Sequence, residues 1–324
     1  MVALVTGAGG FIGRHLAARL LARGEQVRAL DLHLGRLPPA DRLERLEGDL
    51  RLPEVAAAGV RGAEVVYHLA SAHLAVSVPE RHYWSVNVDG SVGLFLAARR
   101  AGVRRFVHVS SVGVYGPLGA RPADETTPCA PVTLYERTKH AAELALAACA
   151  ADGGPELVVA RPAWTYGEGC PRTARLFRAV ARRRFLMIGR GDTRRHPIAV
   201  EDLCAGLVLA AHVPHAAGRT YVLAGDEVVT LRELLATIAA VLGVEPPSVR
   251  VPVALAAPVA AVVEGVGRLV GVEPPFSRRS LIFFTQHYHY DTSRARRELG
   301  FAPAVRLAEG MASVRERLRA EGGL

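Results

Sequence analysis

Lysine is almost absent from this chain of 324 residues: all but one of its 40 basic residues are arginine, and the exception is Lys139. Cysteine is scarce as well. Cys129, Cys149, Cys170 and Cys204 lack the spacing of metal ligands or of a disulfide framework. The first residues already read as an apolar strand, without the basic segment and cleavage site of a secretory leader. These absences favour a cytoplasmic protein with reduced thiols and no bound metal.

Long uncharged apolar runs are missing too. The most apolar segment, residues 251–272, contains Glu264, Arg268 and two prolines, so we expect a buried or lid-forming helix rather than a membrane span. The net charge is +9 and is concentrated in residues 172–185, but no nucleic-acid-binding module accompanies it. That basic segment is interpreted either as a solvated helix face or as a surface that attracts anionic substrates. We expect a small-molecule substrate, no membrane span and no nucleic-acid partner.

A glycine-rich segment lies between an apolar strand and a helix near the start of the chain. The strand VALVT is followed by GAGGFIG and by the helical run RHLAARLLARG. Gly7, Gly10 and Gly13 suit a dinucleotide-binding loop, because they allow a tight turn, close approach of a pyrophosphate and close packing of helix on strand. Free N–H groups at the start of the helix would then bind the phosphates. The segment predicts a dinucleotide site.

The rest of the amino-terminal half alternates between strand and helix patterns. Strands are expected in QVRALD, AEVVYHLA, RFVHVSS and ELVVARP, and helices in SVGLFLAARRAG and YERTKHAAELALAACA. That order is typical of α/β proteins with a Rossmann-type, doubly wound parallel sheet. Asp31 ends the second strand, where a carboxylate binds the adenine ribose and repels a 2′-phosphate. We therefore favour NAD as the cofactor, while the nearby Arg36 leaves NADP open.

Polar residues that suit redox chemistry follow the strand RFVHV. Ser110 and Ser111 stand at its carboxyl end, where α/β sheets build their sites. Tyr135 and Lys139 are four residues apart on the next predicted helix and so share one face. We favour Ser111 over Ser110 as the functional serine.

With these residues in place, the chain resembles the extended short-chain dehydrogenases/reductases, the family of NAD-dependent epimerases, dehydratases and 3β-hydroxysteroid dehydrogenases. The resemblance covers nearly the whole chain and rests on TGAGGFIG, GDL, HLAS, NVDGS, SSVGVYG, YERTK, ARPAWTYG and DTSRARRELGF. It implies that Tyr135 is the general acid or base on the substrate hydroxyl and that Ser111 binds the reacting oxygen. Lys139 would stabilise the phenolate and hold the nicotinamide ribose. The single lysine is then explained, because the larger planar cation of arginine is a poor replacement for a compact ammonium.

The resemblance also implies a set of binding residues. Those for the cofactor are Gly7, Gly10, Phe11, Ile12, Gly13, Asp31, Asp49, Leu50, Leu69, Ala70, Ser71, Asn87, Tyr135, Lys139 and Pro162. Those for the substrate are Ser111, Trp164 and Arg195, with Arg195 placed against a diphosphate. Other polar residues are interpreted without a catalytic role: His68 and His73 as structural or cofactor-adjacent, His287 and His289 as strand alternation, and Cys170 as a loop thiol.

Two branches of the family compete for the substrate. The best specific prediction is a nucleotide-sugar 4-epimerase, because of the amino-terminal match, Arg195 and the basic charge. Against it, Trp164 stands where sugar-nucleotide members often have Asn, and Leu281 replaces their RPGD-like segment. The segment VEPPFSRRSLIFF and the apolar run 251–272 resemble the 3β-hydroxysteroid-dehydrogenase-like branch instead. The alternatives are thus a dehydrogenase or ketoreductase for a less polar substrate, or a non-catalytic NAD-binding protein.

The resemblance divides the chain into two domains. Residues 1–165 form the NAD-binding domain, and residues 166–324 form mainly a smaller substrate-binding domain, with residues 196–225 returning to the sheet. In the second part RTYVLAG predicts a strand, and Thr230 with Glu233 predicts a capping box at the start of a helix. Relatives pair through two helices, here near residues 91–101 and 135–150, so a homodimer is expected. Val112 and Gly113 replace the acidic pair of sugar 4,6-dehydratases, so dehydration is not expected.

Overall fold

The computed structural model describes residues 1–35, 37, 39–73, 78–119, 121–270 and 278–324, with the backbone alone at 264–270 and 278–280. Arg36 and much of VEPPFSRRSLIFF lie outside the described residues. The strands are β1 Val2–Thr6, β2 Gln26–Asp31, β3 Leu43–Glu47, β4 Val65–His68, β5 Arg105–Val109, β6 Glu156–Pro162, β7 Thr165–Tyr166, β8 Met187–Ile188, β9 Arg194–Arg195, β10 Ile198–Ala199, β11 Thr220–Leu223, β12 Val229–Thr230 and β13 Arg250–Val251.

The helices cover both faces of the sheet and most of the carboxyl-terminal part. They are α1 Phe11–Ala22, α2 Pro53–Val60, α3 Glu80–Trp84, α4 Gly90–Arg100, α5 Leu134–Ala151, α6 Pro171–Ala181, α7 Val200–His212, α8 Leu231–Leu242, α9 Val253–Val270, α10 Arg278–Thr285, α11 Ser293–Leu299 and α12 Leu307–Ala320. A π-helical turn at Ser85–Asp89 joins α3 to α4, and 3₁₀ turns occupy Val112–Tyr115 and Pro214–Ala216.

Within the described residues, seven strands form one parallel sheet in the order β11-β6-β5-β4-β1-β2-β3. The strand order reverses between β1 and β4, which opens a crevice at the carboxyl ends of these two strands. Such a switch point is where doubly wound sheets bind ligands. The predicted Rossmann-type fold is thereby confirmed, and RTYVLAG supplies the edge strand β11.

The sheet is buried on both faces, which accounts for its continuous apolar strands. Every residue of β4 and β5 is buried, as expected for parallel strands covered by helices on both sides. One face packs against α1 and α7 through residues such as Leu16 and Leu207. The other face packs against α2, α4 and α5 through residues such as Phe95 and Leu146. The two layers fix the carboxyl ends of the strands, where the candidate site lies.

A third apolar cluster forms the core of the carboxyl-terminal part. It joins α6, α8 and α12 through Phe177, Leu234 and Val314. The predicted capping box of α8 is present, with Thr230 and Glu233 bonded to each other's backbone amides. The segment predicted as a buried or lid-forming helix is α9, which contains a proline and packs against α10. Among the described residues, no helix has both the length and the apolar character that a membrane crossing requires.

Candidate active site

The glycine-rich loop joins β1 to α1 and packs against the loop after β4. Gly7 has a φ of +70°, and a Cβ there would lie 2.8 Å from the amide nitrogen of Ala70. A Cβ on Gly13 would lie 2.1 Å from the carbonyl oxygen of Gly7, so only glycine lets α1 approach this closely. Among the described residues no side chain caps α1 at Gly10, and its first turn contains no acidic residue. The first N–H groups of α1 are therefore available to a pyrophosphate.

Asp31 ends β2 beside this loop. Its Oδ2 accepts a hydrogen bond of 2.9 Å from the amide of Gly9. A Cβ on Gly9 would lie 2.0 Å from the carbonyl oxygen of His33, so this glycine is required as well. Sequence reasoning missed Gly9 because it is not part of the G-x-x-G-x-x-G spacing. The bond fixes the Asp31 carboxylate at the edge of the loop, where it suits the hydroxyls of a ribose.

Asp49 and Leu50, predicted to bind the cofactor, follow β3. The Asp49 carboxylate is paired with Arg51, whose Nε lies 3.0 Å from both carboxylate oxygens. Arg51 thereby holds the pKa of Asp49 below its usual value. Arg51 also donates to the Oγ of Ser85 at 3.2 Å, which ties this segment to the π-helical turn. The prediction of Asp49 as a cofactor-binding residue did not take its pairing with Arg51 into account.

Asn87 holds the loop after β4, which contains the predicted cofactor contacts at residues 69–71. Its Oδ1 accepts a hydrogen bond from the amide of Ala72 at 2.7 Å, and its Nδ2 donates to the Oγ1 of Thr138 at 2.9 Å. Thr138 lies on α5 next to Lys139. Asn87 is buried, so these bonds connect the predicted cofactor loop rigidly to α5.

His68 ends β4 and is buried beneath the same loop. Its Nδ1 lies 2.8 Å from the Oγ1 of Thr6, and its Nε2 lies 2.8 Å from the Oγ of Ser91. Burial lowers the pKa of His68 to about 3, so the ring is neutral at physiological pH. Both ring nitrogens are engaged by hydroxyl groups, which supports a structural role for His68.

Tyr135 and Ser111 meet at the carboxyl end of β5. The Ser71 and Ser111 hydroxyls lie close enough to the Tyr135 hydroxyl to act on its pKa. The Ser110 hydroxyl is buried and has no hydrogen-bond partner among the described residues. Burial raises the pKa of Tyr135 to about 12, while the charge of Arg172 and the two serine hydroxyls act in the opposite direction. Without a cofactor the phenol is therefore protonated at neutral pH.

The start of α5 sets the position of Tyr135 relative to Lys139. A capping box formed by Thr133 and Glu136 begins the helix, a signal present in the sequence that the prediction did not use. Lys139 follows Tyr135 by one turn and is only 2% exposed. Burial lowers the pKa of Lys139 to about 8, and Glu143, one turn further on, acts in the opposite direction.

A buried ion pair lies next to Lys139. Arg161 on β6 binds both carboxylate oxygens of Glu143, at 3.1 Å from Nε and 2.6 Å from Nη2. The Arg161 Nη1 also donates to the Tyr115 hydroxyl at 3.0 Å. Because Glu143 is already neutralised by a bidentate arginine, it offsets the burial of the Lys139 ammonium only in part.

Arg195, predicted to bind a substrate diphosphate, is 3% exposed. Its guanidinium donates to the backbone carbonyls of Arg194 at 2.7 Å and Gln286 at 2.8 Å, and also to that of Phe283. It lies 5.1 Å from the ring centres of both Phe283 and Tyr288. Burial lowers the pKa of Arg195 to about 10. Most of its hydrogen-bonding capacity is thus directed at the protein itself.

Pro162 and Trp164 lie at the end of β6. Pro162 is its last residue and is buried. Trp164 is half-buried and packs near Tyr166, with the ring centres 6.3 Å apart. Trp164 packs against the apolar cluster of the carboxyl-terminal part, where an amide would instead offer hydrogen bonds.

Two side chains beside Tyr135 form a pair that sequence reasoning did not find. The His73 ring packs edge-on against the Tyr135 ring, with the centres 4.4 Å apart. Arg172, in the first turn of α6, donates from Nη2 to the Nε2 of His73 at 3.0 Å. In the sequence Arg172 is one of many arginines in residues 172–185, and nothing there separates it from the others.

The remaining histidine and cysteine candidates do not form a metal site within the described part of the chain. His287 pairs with Leu118 in an isolated bridge, so the expected strand alternation at His287 and His289 is not a regular strand. Cys170 is a buried thiol at the start of α6. Among the described residues, no three His, Cys, Asp or Glu side chains are placed to share a metal ion.

The proteins similar to this chain include a hydroxysteroid dehydrogenase as well as a protein solved with a nucleotide sugar. The model of the NAD dependent epimerase/dehydratase family matches residues 3–224. The 3 beta-hydroxysteroid dehydrogenase/Delta 5-->4-isomerase of Mycobacterium tuberculosis is 32% identical, over 93% of this chain and 85% of its own. The 2-alkyl-3-oxoalkanoate reductase of Shewanella oneidensis is 28% identical, over 95% of this chain and 84% of its own. The structure of MoeE5 in complex with UDP-glucuronic acid and NAD is 27% identical, with a TM-score of 0.79 over 99% of this chain and 100% of that one.

Proposed function

The chain belongs to the NAD-dependent epimerase/dehydratase family, and from that premise we propose that it is an NAD-dependent dehydrogenase or ketoreductase. Its proposed substrate is a largely apolar compound with a secondary alcohol or a ketone. The observation that carries this proposal is the environment of Arg195. The guanidinium that would bind the diphosphate of a nucleotide sugar is buried and donates to three backbone carbonyls.

NAD fits the residues at the switch point of the sheet. The close approach at Gly7 and Gly13 leaves backbone N–H groups of α1 open to a pyrophosphate, and the Asp31 carboxylate suits a ribose diol. When bound, NAD supplies the acceptor or donor of the hydride that moves at the carbinol carbon. The protein supplies proton transfer and orientation.

In this proposal Ser111 and Tyr135 handle the reacting oxygen. Ser111 donates a hydrogen bond that orients it, and the Tyr135 hydroxyl exchanges a proton with it. With its pKa near 12 in the cofactor-free protein, Tyr135 is ready to protonate the oxygen during ketone reduction. In alcohol oxidation it must first lose that proton, and the Lys139 ammonium one helical turn away favours the phenolate.

The apolar character of the proposed substrate has two kinds of support. The two relatives compared above are named for a hydroxysteroid and for a 2-alkyl-3-oxoalkanoate. In addition, α9 exposes Leu255, Val259 and Val262 and packs against α10, the helix that supplies Phe283 beside Arg195. A group of exposed apolar side chains on one helix suits an apolar ligand.

A nucleotide-sugar 4-epimerase is the second candidate. It is favoured by the likeness to MoeE5 in complex with UDP-glucuronic acid and NAD, which extends over almost the full length of both chains. The net charge of +9 also suits an anionic substrate. The two candidates share the Ser111, Tyr135 and Lys139 chemistry and differ in whether the hydride returns to the same substrate.

The test begins with the purified protein. Any nucleotide released on denaturation is identified, and NADH formation is then followed with secondary alcohols such as 2-nonanol and a 3β-hydroxysteroid. Net NADH formation is expected for the dehydrogenase. Tightly held NAD, no net NADH and interconversion of nucleotide sugars would favour the epimerase and refute the first proposal.

Tyr135→Phe tests the assignment of the proton-transfer group. It should abolish turnover and leave NAD binding intact, because it removes only the hydroxyl. Tyr67→Phe is the matched control, since the Tyr67 hydroxyl is buried in β4 and has no partner among the described residues. Turnover at the wild-type rate in Tyr135→Phe would rule out this role.

A further inference from the structure

We infer that the substrate carries a carboxylate attached to the carbon next to the reacting carbinol carbon, and that Arg172 binds this carboxylate. The substrate unit is then a 3-hydroxy acid or, in its oxidised form, a 3-oxo acid. The inference rests on the proposed redox chemistry at Tyr135 and adds the substrate class to it.

The position of Arg172 is the first argument. Its guanidinium is hydrogen-bonded to the His73 imidazole at 3.0 Å, and that imidazole packs edge-on against Tyr135. The Ser111 hydroxyl acts on the pKa of Tyr135 and so lies near its phenol. A single imidazole ring therefore separates the Arg172 cation from the phenol that would exchange a proton with the substrate. An anion bound by Arg172 would therefore lie next to the pair formed by His73 and Tyr135.

The unused hydrogen-bonding capacity of Arg172 is the second argument. Arginine has five N–H donors in a planar fork, and His73 takes one of them. Within the described part of the chain, Arg172 forms no ion pair, and its side chain belongs to an exposed residue. The neighbouring Glu136 is engaged elsewhere, because its Oε2 accepts the amides of Val132 at 3.0 Å and Thr133 at 2.8 Å.

The chemistry of the anion follows from its place. A guanidinium fork pairs best with a carboxylate or phosphate that can accept two parallel hydrogen bonds. In a nucleotide sugar the diphosphate is attached at the anomeric carbon, across the ring from a reacting C4 carbinol. A carboxylate attached to the carbon next to the carbinol carbon stays close to the reacting hydroxyl, as an anion bound by Arg172 must when that hydroxyl contacts Tyr135. The arrangement therefore favours a carboxylate of the substrate over its diphosphate.

Two pairs of probes test this, and in each pair the members differ at the carboxylate. One pair is 3-hydroxydecanoate and its methyl ester, and the other is UDP-glucuronic acid and UDP-glucose. In UDP-glucuronic acid the carboxylate is also attached to the carbon next to the C4 carbinol carbon. Affinities for the NAD-loaded protein are measured by calorimetry, and NADH formation and epimer formation are followed in parallel. The variants are Arg172→Gln, Arg172→Lys and the control Arg175→Gln, which changes an exposed arginine one turn along α6.

We expect the acid of at least one pair to bind at least about tenfold more tightly than its uncharged partner, the effect of a charge-assisted hydrogen-bonded pair. Arg172→Gln should remove this preference, Arg172→Lys should recover part of it, and Arg175→Gln should keep it. Absence of any preference for the acids, or a preference that persists in Arg172→Gln, would overturn the inference.

Failure of the inference and failure of the proposed function are separable in this design. Acid-selective binding through Arg172 without NADH formation would uphold the carboxylate site and refute the dehydrogenase. NADH formation from the ester as efficiently as from the acid would uphold the dehydrogenase and refute the carboxylate site. Selectivity confined to the UDP-sugar pair would uphold the carboxylate site and favour the epimerase.

Discussion

Replacing Lys139 with methionine should make the cofactor-free protein more stable and also inactive. The Lys139 ammonium is 2% exposed, and folding lowers its pKa from 10.5 to about 8. At about 1.4 kcal/mol for each tenfold change in proton affinity, burying the charged form costs about 3 kcal/mol at neutral pH. Methionine has a similar length and no charge, so Lys139→Met should raise the free energy of unfolding by up to that amount.

The pH dependence makes this prediction specific. Between about pH 8 and pH 10.5 the unfolded chain keeps the Lys139 proton while the folded chain loses it. Since stability rises with pH wherever the unfolded state binds more protons, Lys139 contributes a rise over that interval. Below pH 8 both states are protonated and the cost is constant. The advantage of Lys139→Met should therefore be largest at pH 7 and shrink as the pH approaches 10.

Urea unfolding of both proteins without NAD, at several pH values from 7 to about 9.5, measures the difference directly. Turnover is measured on the same preparations and should be absent in Lys139→Met. A variant that is less stable than the wild type at pH 7, or a stability difference independent of pH, would refute the reasoning. Other groups in the protein would then offset the free energy of burying the Lys139 ammonium, and its removal would not stabilise the fold.

Three other predictions concern the loop, the buried ion pair and cofactor choice. Gly13→Ala should lower stability by about 1–3 kcal/mol and weaken NAD binding, whereas Gly93→Ala, with open space at its Cβ, should stabilise by about 0.5–1 kcal/mol. Thermal unfolding and NAD titration check both, and equal effects would contradict the packing argument. Glu143→Gln should cost about 3–5 kcal/mol because it leaves the Arg161 cation buried and unpaired; an unchanged urea midpoint would argue against that pair. Asp31→Ser should raise the relative affinity for NADP by removing a charge that repels a 2′-phosphate, and calorimetry with both cofactors would reveal an unaltered preference if Asp31 plays no part.

Most strands of the sheet could be predicted because their sequences are apolar and they lie in the buried centre of the sheet. QVRALD and ELVVARP coincide with β2 and β6, and strands this apolar are expected to be buried on both faces. β3 was missed because its sequence is not apolar and it does not lie in the centre of the sheet. Its sequence LERLE is rich in charge, and it forms the edge of the sheet, where one side of the strand faces solvent.

The candidate site could be predicted where one element supplies the residues. Tyr135 and Lys139 lie one turn apart on α5, so helical geometry alone relates them. Arg195 differs, because the carbonyls that bind it belong to residues 283–286, nearly ninety positions later in the chain. Arg172 was hidden by repetition, because its contact with His73 depends on tertiary placement and its sequence neighbours are equally basic. Spacing in sequence carries no information about such pairs.

The single lysine gives the protein a built-in reporter. Apart from the terminal amine of the chain, Lys139 is the only primary amine in the sequence, and it is buried beside Tyr135. An amine-reactive reagent that modifies a side chain can therefore modify only this site, and only when the protein opens enough to admit it. The rate at which the peptide that contains Lys139 gains that adduct measures opening around α5 without any engineered label. Ligands that occupy the crevice should slow the modification, so occupancy can be followed even for substrates that give no optical signal.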